Sequence, residues 1–230
     1  MQVYYDLHLH SCLSPCGEDD MTPLNIVRMA MLAGLNMIAV TDHNSAGNVR
    51  AAVEAGWEWG VCVVPGIEAM SREEGHVLCY FPEVEQAEAM QALLYARMPP
   101  IPNKPSLFGN QIYMDAGEGE RGREERLLLS AADMDVAELA QACRELGGVA
   151  VPAHVDKQAY SLLNNLGFLP PDCGFTTVEV AGNVPPGLEG YRVIHSSDAH
   201  QLDMIPDAER FLDLDSLSPR ALVRYLKQPL

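Results

Sequence analysis

The chain has 230 residues, of which 48% are hydrophobic, and a formal net charge of -17 at pH 7. This length suffices for one domain with a sizeable core, whereas the acidic balance argues against tight nucleic-acid binding, which requires clustered lysine and arginine. The charge suits cations instead. The chain opens without the features of a signal peptide and has no run of roughly 18 apolar residues, so we expect a cytoplasmic protein with no membrane partner.

Short apolar runs alternate with stretches whose apolar residues recur at helical spacing. The predicted strands are residues 3–7, 37–40, 61–64, 77–81, 149–151, 177–180 and 192–194. The predicted helices are residues 23–33, 46–57, 84–98, 136–146 and 219–226. Thr22 and Ser218 each precede a proline at the first helical position, as helix N-caps do. Strands that alternate with helices predict an α/β fold with a parallel sheet.

The strand count narrows the architecture. Seven predicted strands favour a distorted seven-stranded β/α (TIM-like) barrel formed by a single domain, residues 1–230, although the pattern is also compatible with an open sheet. Residues 98–126 interrupt the alternation, because they are rich in proline, glycine and charge and contain no clear periodic element. We predict that they form a loop or lid insertion over the active face.

The first predicted strand ends in a His-x-His pair, His8 and His10. In a strand, residues two apart point to the same side, so the two imidazoles form half of a metal site. An isolated pair of this kind is equally compatible with an exposed strand face. The pair therefore needs support from the rest of the chain.

The same arrangement recurs at later strand ends. In a β/α barrel the C-terminal strand ends converge on one mouth, so polar residues there meet in space. The residues at these ends are Asp42, His43, Glu68, His154, Asp198 and His200. His76 begins a strand instead, and an antiparallel hairpin across the turn SREEG would return it to the same mouth. These positions together predict a metal cluster.

Imidazole and carboxylate ligands without an obligatory thiolate suit zinc, manganese or iron, and we expect two or three divalent ions. Glu68 is the natural bridging ligand. Two cations about 4 Å apart can share a hydroxide nucleophile and neutralise the oxygens of a phosphoryl group. The predicted chemistry is therefore hydrolysis of a phosphate ester.

The motifs DLHLHS, VTDHNS, PGIE followed by GHVL, PAH and SSDAH occur in one order along the chain. In that order they resemble the motifs of the PHP family, the polymerase and histidinol phosphatase superfamily of metal-dependent phosphoesterases. The resemblance extends from near Met1 to about Pro206 and leaves out residues 98–126. It implies a distorted seven-stranded β/α barrel with three metals at its C-terminal mouth.

The resemblance also implies a ligand set. One metal would be held by His8, His10, Glu68 and Asp198. A second would be held by Glu68, His76 and His154, and a third by His43, His200 and one further ligand. The candidate catalytic residues are Glu68, Asp198 and His200.

The further ligand is where this chain departs from the family. Members commonly place His or Asp in the loop after the His-x-His pair, and here Cys16 stands at the comparable spacing. A thiolate would favour zinc or iron. Asp19 or Asp20 could replace it, or Cys16 only packs under the loop and the third metal is weak or absent.

Three other residues are placed by the same reasoning. Asp6 either orients a ligating imidazole or lies in water at a strand end. His195 is expected to have a structural or supporting role before that of a ligand. Lys157, which closely follows His154 on a strand-end loop, is the best candidate for binding a substrate phosphate.

The leading functional hypothesis is hydrolysis of small phosphomonoesters or short nucleotide phosphodiesters through a metal-bound hydroxide. The acidic surface favours a small phosphorylated substrate. One alternative is an amidohydrolase-type carbon-nitrogen hydrolase, although no strand end supplies the bridging lysine typical of that class. The other is a non-catalytic regulatory module with the same fold, which would be expected to have lost ligands. The sequence does not specify an oligomeric state.

Overall fold

The computed structural model of residues 1–230 alternates strands with helices. The strands are β1 (Gln2–Leu9), β2 (Met37–Val40), β3 (Cys62–Met70), β4 (His76–Tyr80), β5 (Ile112–Met114), β6 (Glu120–Arg123), β7 (Val149–Pro152), β8 (Thr177–Glu179), β9 (Arg192–Ile194) and β10 (Phe211–Asp213). The helices are α1 (Pro23–Leu32), α2 (Val49–Trp59), α3 (Val84–Arg97), α4 (Pro105–Phe108), α5 (Val136–Glu145), α6 (Leu162–Leu166) and α7 (Pro219–Lys227). The predicted α/β class is confirmed.

The helices begin where the sequence provides caps. The Thr22 hydroxyl accepts a hydrogen bond from the N–H of Asn25, and the Ser218 hydroxyl accepts one from Ala221, so both predicted N-caps are confirmed. Asp135 caps α5 in the same way. Each cap satisfies an N–H group that has no partner within its own helix.

The main sheet contains six strands in the order β10-β1-β2-β3-β4-β7. β1, β2 and β3 run parallel, whereas β10, β4 and β7 each pair antiparallel with their neighbours. β8 and β9 form a separate parallel pair. The predicted seven-stranded barrel is not confirmed, because the sheet is a curled half-barrel that remains open.

The physical reason lies in the connections. The turn 71–75 between β3 and β4 is too short for a helical crossover, so β4 returns antiparallel. The β8–β9 pair continues the curve but touches its neighbours only locally. Val155 N–H donates to the carbonyl of Glu179 at 2.9 Å, and Leu9 forms an isolated parallel bridge with Ala199. The strand ends therefore converge without a continuous barrel.

One buried hydrogen bond spans the concave side of the sheet. The Tyr80 hydroxyl on β4 donates to the carbonyl of Leu7 on β1 at 2.9 Å, although these strands are not neighbours. Val3, Leu78 and Val151 belong to the same apolar cluster inside the curl. Other apolar clusters fill the space between the sheet and the helices, so both faces of the sheet are covered.

Residues 98–126 contain α4 and an antiparallel hairpin of β5 and β6. The N–H of Ile112 donates to the carbonyl of Cys12 at 2.8 Å, and the Asn48 side chain donates to the carbonyl of Ile112 at 3.0 Å. The hairpin is thus pinned beside the loop that follows β1. Its role as a lid stays a prediction. No helix of the chain is both long and apolar enough to cross a membrane.

The hydrogen bond across the curl yields a stability prediction. Tyr80→Phe keeps the ring but leaves the buried Leu7 carbonyl without its partner, so we expect the free energy of unfolding to fall by about 1–2 kcal/mol. Urea denaturation followed by circular dichroism measures the change. Tyr191→Phe, at a half-buried tyrosine in another apolar cluster, is the matched control. Equal stability of wild type and Tyr80→Phe would contradict the assigned role.

Candidate metal centre

His8 and His10 lie at the end of β1, where the pairing register with β2 shifts between Asp6 and Leu9. Irregularities of this kind re-aim side chains at strand ends. Both imidazoles are completely buried, and their Nε2 atoms face each other at 3.1 Å. The predicted same-side arrangement is therefore confirmed.

The other ring nitrogens of this pair are held by the protein. His8 Nδ1 lies 3.0 Å from both carboxylate oxygens of Glu179. His10 Nδ1 lies 2.9 Å from the hydroxyl of Ser14, which in turn donates to Asp42 at 2.7 Å. In a neutral imidazole, a hydrogen bond donated from Nδ1 directs the lone pair to Nε2, which is the arrangement that a ligating imidazole requires.

Glu68 occupies the centre of the cluster. Its side chain is 1% exposed, and its carboxylate lies within 3.4 Å of five imidazole nitrogens. The five residues are His8, His10, His43, His76 and His154. Since a carboxylate between two groups of imidazoles can bridge two cations, the geometry suits the bridging role expected for Glu68.

His76 reaches this position through the hairpin of β3 and β4. Glu68 is in register with Leu78, and Met70 with His76, so the antiparallel return expected across residues 71–75 is confirmed. His76 Nδ1 lies 2.8 Å from Glu68 Oε1. A residue at a strand start thereby joins residues from strand ends.

Asp198 contacts both the pair of imidazoles at the end of β1 and the ammonium of Lys157. Its Oδ1 lies 3.3 Å from His8 Nε2 and 3.2 Å from His10 Nε2, and its Oδ2 accepts a hydrogen bond from Lys157 Nζ at 2.6 Å. Asp198 and His154 both have positive φ angles, +55° and +29°, which residues other than glycine rarely adopt. Such backbone strain is typical of functional sites, where the surrounding structure holds it.

A third group joins His10, Cys16, His43 and His200, whose candidate ligand atoms lie within 4.8 Å of one another. Cys16 Sγ lies 3.3 Å from His43 Nε2. Asp19 instead accepts hydrogen bonds from the Asn110 side chain at 2.7 and 3.0 Å. Of the alternatives for the third group, the structure therefore brings Cys16 to the cluster.

Several atoms in the cluster are buried without a hydrogen-bond partner. They are Oε2 of Glu68, Nδ1 of His43, Nδ1 of His154 and both ring nitrogens of His76. Some of these atoms lie close to one another, but the angles between them do not meet the geometry of a hydrogen bond. Because an unpaired buried polar atom costs about 1–3 kcal/mol, the cluster is costly by itself. Divalent cations would satisfy these lone pairs, so the residues fit a metal centre.

Burial and charge set the protonation of the ligands. Burial lowers the pKa of His43 to about 3 and that of His200 to about 4, so both imidazoles are neutral at pH 7. Burial opposes the charged form of Glu68, but the nearby imidazoles, His76 first, hold its pKa well below the usual value. Although Cys16 is exposed as a residue, desolvation of its sulfur beside the cluster and the Glu68 carboxylate raise the pKa of the thiol, so it would lose its proton only to a cation.

Sequence reasoning missed Glu179, which ends β8. Besides contacting His8, its carboxylate accepts the backbone N–H of His154 at 2.9 Å. A glutamate within the run predicted as a strand, residues 177–180, was the available signal. Asp6 neither contacts an imidazole nor lies in water, since it is buried and accepts the N–H groups of His8 and Ser197. His195 lies outside the cluster, and its N–H donates to the Tyr5 hydroxyl at 3.3 Å.

Comparison with known proteins gives mainly fold similarity. No protein-family model matches the chain. A 5′-3′ exoribonuclease from Haemophilus influenzae is 32% identical over 75 residues, which are 33% of this chain and 26% of that protein. A solved structure designated a metal-dependent phosphoesterase, from Bifidobacterium adolescentis, aligns with a TM-score of 0.62 and 21% identity over 96% of this chain and 94% of its own.

The lesion-specific endonuclease Q from Pyrococcus furiosus aligns with a TM-score of 0.73 and 18% identity over 99% of this chain and 56% of its own. The structure of endonuclease Q in complex with a 27-mer duplex that carries an abasic lesion at the active site aligns with a TM-score of 0.72 and 18% identity. The alignment covers 99% of this chain and 57% of that one. At these identities the comparisons show that the chain shares the fold of these solved structures. It spans about a quarter of the exoribonuclease and just over half of endonuclease Q.

The contact between Glu179 and His8 yields a prediction on metal affinity. Glu179→Gln keeps the shape of the side chain but removes the charge that orients His8, so we expect metal affinity to fall about 10- to 100-fold. Titration of the metal-free protein with Mn²⁺ or Zn²⁺ by calorimetry measures it. Glu54→Gln, at an exposed position on α2, is the control. Unchanged affinity in Glu179→Gln would refute the orienting role.

Proposed function

We propose that this protein is a hydrolase that uses two or three divalent cations, zinc, manganese or iron, to cleave phosphate esters. The observation that carries the proposal is the position of Glu68, a buried carboxylate surrounded by five imidazoles, several of which have unpaired ring nitrogens. A structural module without activity would have no need to maintain so many unpaired buried atoms. The names of two proteins similar in fold, an endonuclease and a metal-dependent phosphoesterase, support the same chemistry.

The proposed ligand groups are those that the resemblance implies, and the contacts of Glu68 and Cys16 support them. One cation would be held by His8, His10, Glu68 and Asp198. A second would be held by Glu68, His76 and His154, and a third by His43, His200 and Cys16. Bound cations would supply a water molecule of lowered pKa and neutralise charge that develops on a phosphoryl group.

The protein's own side chains do the positioning. Glu179 and Ser14 hold the rings of His8 and His10 through Nδ1. The Nε2 atoms, the proposed ligand atoms, therefore do not have to reorient during the reaction. Lys157 lies close enough to Asp198 to bind a phosphate oxygen at the edge of the cluster. Glu68, Asp198 and His200 are the proposed catalytic residues, because the two carboxylates contact the imidazoles of His8 and His10, and His200 stacks on His10.

The net charge of -17 favours a small phosphomonoester or a short nucleotide over a long nucleic acid. Endonuclease Q, which aligns over nearly all of this chain, is seen with a duplex substrate, and this favours a nucleic-acid endonuclease as the second candidate. Competition between a nucleoside monophosphate and an abasic duplex decides between the two.

The first experiment combines metal analysis with an assay. Protein purified without chelator should contain two or three equivalents of metal, and its hydrolysis of a chromogenic phosphomonoester should disappear with chelation and return with metal. Glu68→Gln should lose at least about 100-fold in kcat/KM, because the ligand shared between cations is weakened. Glu58→Gln on an exposed helix face is the matched control.

The outcomes separate the competing classes. Metal with hydrolysis of amides or cyclic carbon-nitrogen bonds but no phosphate ester would favour the amidohydrolase type. No metal, no activity and unchanged thermal stability in chelator would favour a non-catalytic module. Either result would refute the proposed phosphoesterase.

Cys16 provides a separate test of the third group. Cys16→Ala should lower the bound metal by about one equivalent and leave the other two, because the sulfur touches only this group. Cys16→Asp, which introduces a carboxylate that also ligates such metals, should restore it. Elemental analysis of the three proteins gives the counts. The same metal content in Cys16→Ala and wild type would show that Cys16 is not a ligand.

A further inference from the structure

Tyr160 is an exposed aromatic residue at the edge of the candidate metal centre. Its ring lies parallel to the imidazole of His76, with 4.8 Å between centroids and 8° between planes. His76 in turn lies 2.8 Å from Glu68. One face of the tyrosine ring is therefore covered by a candidate ligand, while 48% of the residue remains exposed to solvent.

The loop that carries Tyr160 is held tightly. Tyr160 has a φ of +55°, and its carbonyl accepts a hydrogen bond from the N–H of His76 at 2.9 Å. The Asn165 side chain donates to the carbonyls of Glu73 and Glu74 at 3.0 and 3.2 Å. A Cβ at Gly75 would lie 2.1 Å from Leu162, so the loop and the β3–β4 turn are in close contact. The exposed ring is thus placed by the fold in a strained conformation that the contacts maintain.

The same loop also carries the candidate phosphate-binding residue. Lys157 lies three residues before Tyr160, and its ammonium contacts Asp198 at 2.6 Å. An ammonium and an exposed aromatic ring therefore both border the candidate metal centre. A nucleotide carries a phosphate, which suits the cluster and the ammonium, and a base, which suits the aromatic ring.

We propose that Tyr160 is a stacking platform for the base of a nucleotide substrate. The inference rests on the proposed phosphoesterase function and names its substrate class. Any base can stack on an aromatic ring, and Tyr160 presents no hydrogen-bonding frame that would select one base. The platform favours nucleotides over sugar phosphates without selecting a sequence.

A purely protective role makes a different prediction. If Tyr160 only shielded His76 from water, its removal would change metal affinity and would affect sugar phosphates and nucleotides alike. If it is a platform, its removal affects ligands that carry a base. Tyr160→Ala and Tyr160→Phe separate these roles, because phenylalanine keeps the stacking face. Trp57→Ala, which removes an 85% exposed aromatic side chain on α2, is the control.

Binding is measured with adenosine, which has a base but no phosphate to hydrolyse. Saturation-transfer NMR on the metal-loaded protein should show the strongest contact at the base protons. Adenosine binding should weaken about 5- to 100-fold in Tyr160→Ala, the range found when an aromatic stacking residue is removed. It should persist in Tyr160→Phe and Trp57→Ala. In parallel, the ratio of kcat/KM for adenosine monophosphate to that for ribose 5-phosphate should fall by a similar factor in Tyr160→Ala.

Two results would overturn the platform. One is the absence of adenosine binding to wild type, and the other is equal binding to wild type and Tyr160→Ala. Either result leaves the phosphoesterase proposal intact if ribose 5-phosphate is hydrolysed. Conversely, adenosine binding that depends on Tyr160, with no hydrolysis of any phosphate ester, would support the platform and refute the proposed reaction.

Discussion

The structure of the site depends on one carboxylate buried among imidazoles. Glu68 lies on β3, between β2 and β4, and five histidines from four different segments approach it within 3.4 Å. A charged group so far from water is tolerated only where opposite charge or cations compensate it. The converging strand ends place that compensation around Glu68, and the curl of the sheet makes the convergence possible.

The surrounding residues convert this convergence into a defined geometry. Glu179 and Ser14 fix the first two imidazoles, and the buried Asp42 holds Ser14 while also accepting hydrogen bonds from Ser11. Positive φ angles at His154 and Asp198 aim two further side chains inward. The cost of these conformations is borne by a well-packed scaffold, whose apolar clusters cover both faces of the sheet.

The sequence predicts the elements well because their signals are local. Apolar periodicity and N-caps such as Thr22 locate the helices, and the spacing of His8 and His10 indicates their common side. The closed seven-stranded barrel is not confirmed, because closure depends on pairing between distant strands, and β8 and β9 form only three-residue ladders. The role of Glu179 was missed for the same reason, since its contact with His8 spans 171 residues. Residues 98–126 lack a clear period because their hairpin strands are short and β6 is largely exposed.

The tight contact between the β3–β4 turn and the loop after β7 has a dynamic consequence. Gly75 packs against Leu162, and the Asn165 side chain donates hydrogen bonds to the turn. The turn and the loop therefore cannot open independently of each other. Segments coupled in this way exchange their amide hydrogens as one cooperative unit. His76 and Tyr160 belong to that unit, and His154 adjoins it. Local opening would therefore release part of the centre and the exposed aromatic face in a single event, while His8 and His10 stay fixed in the central sheet.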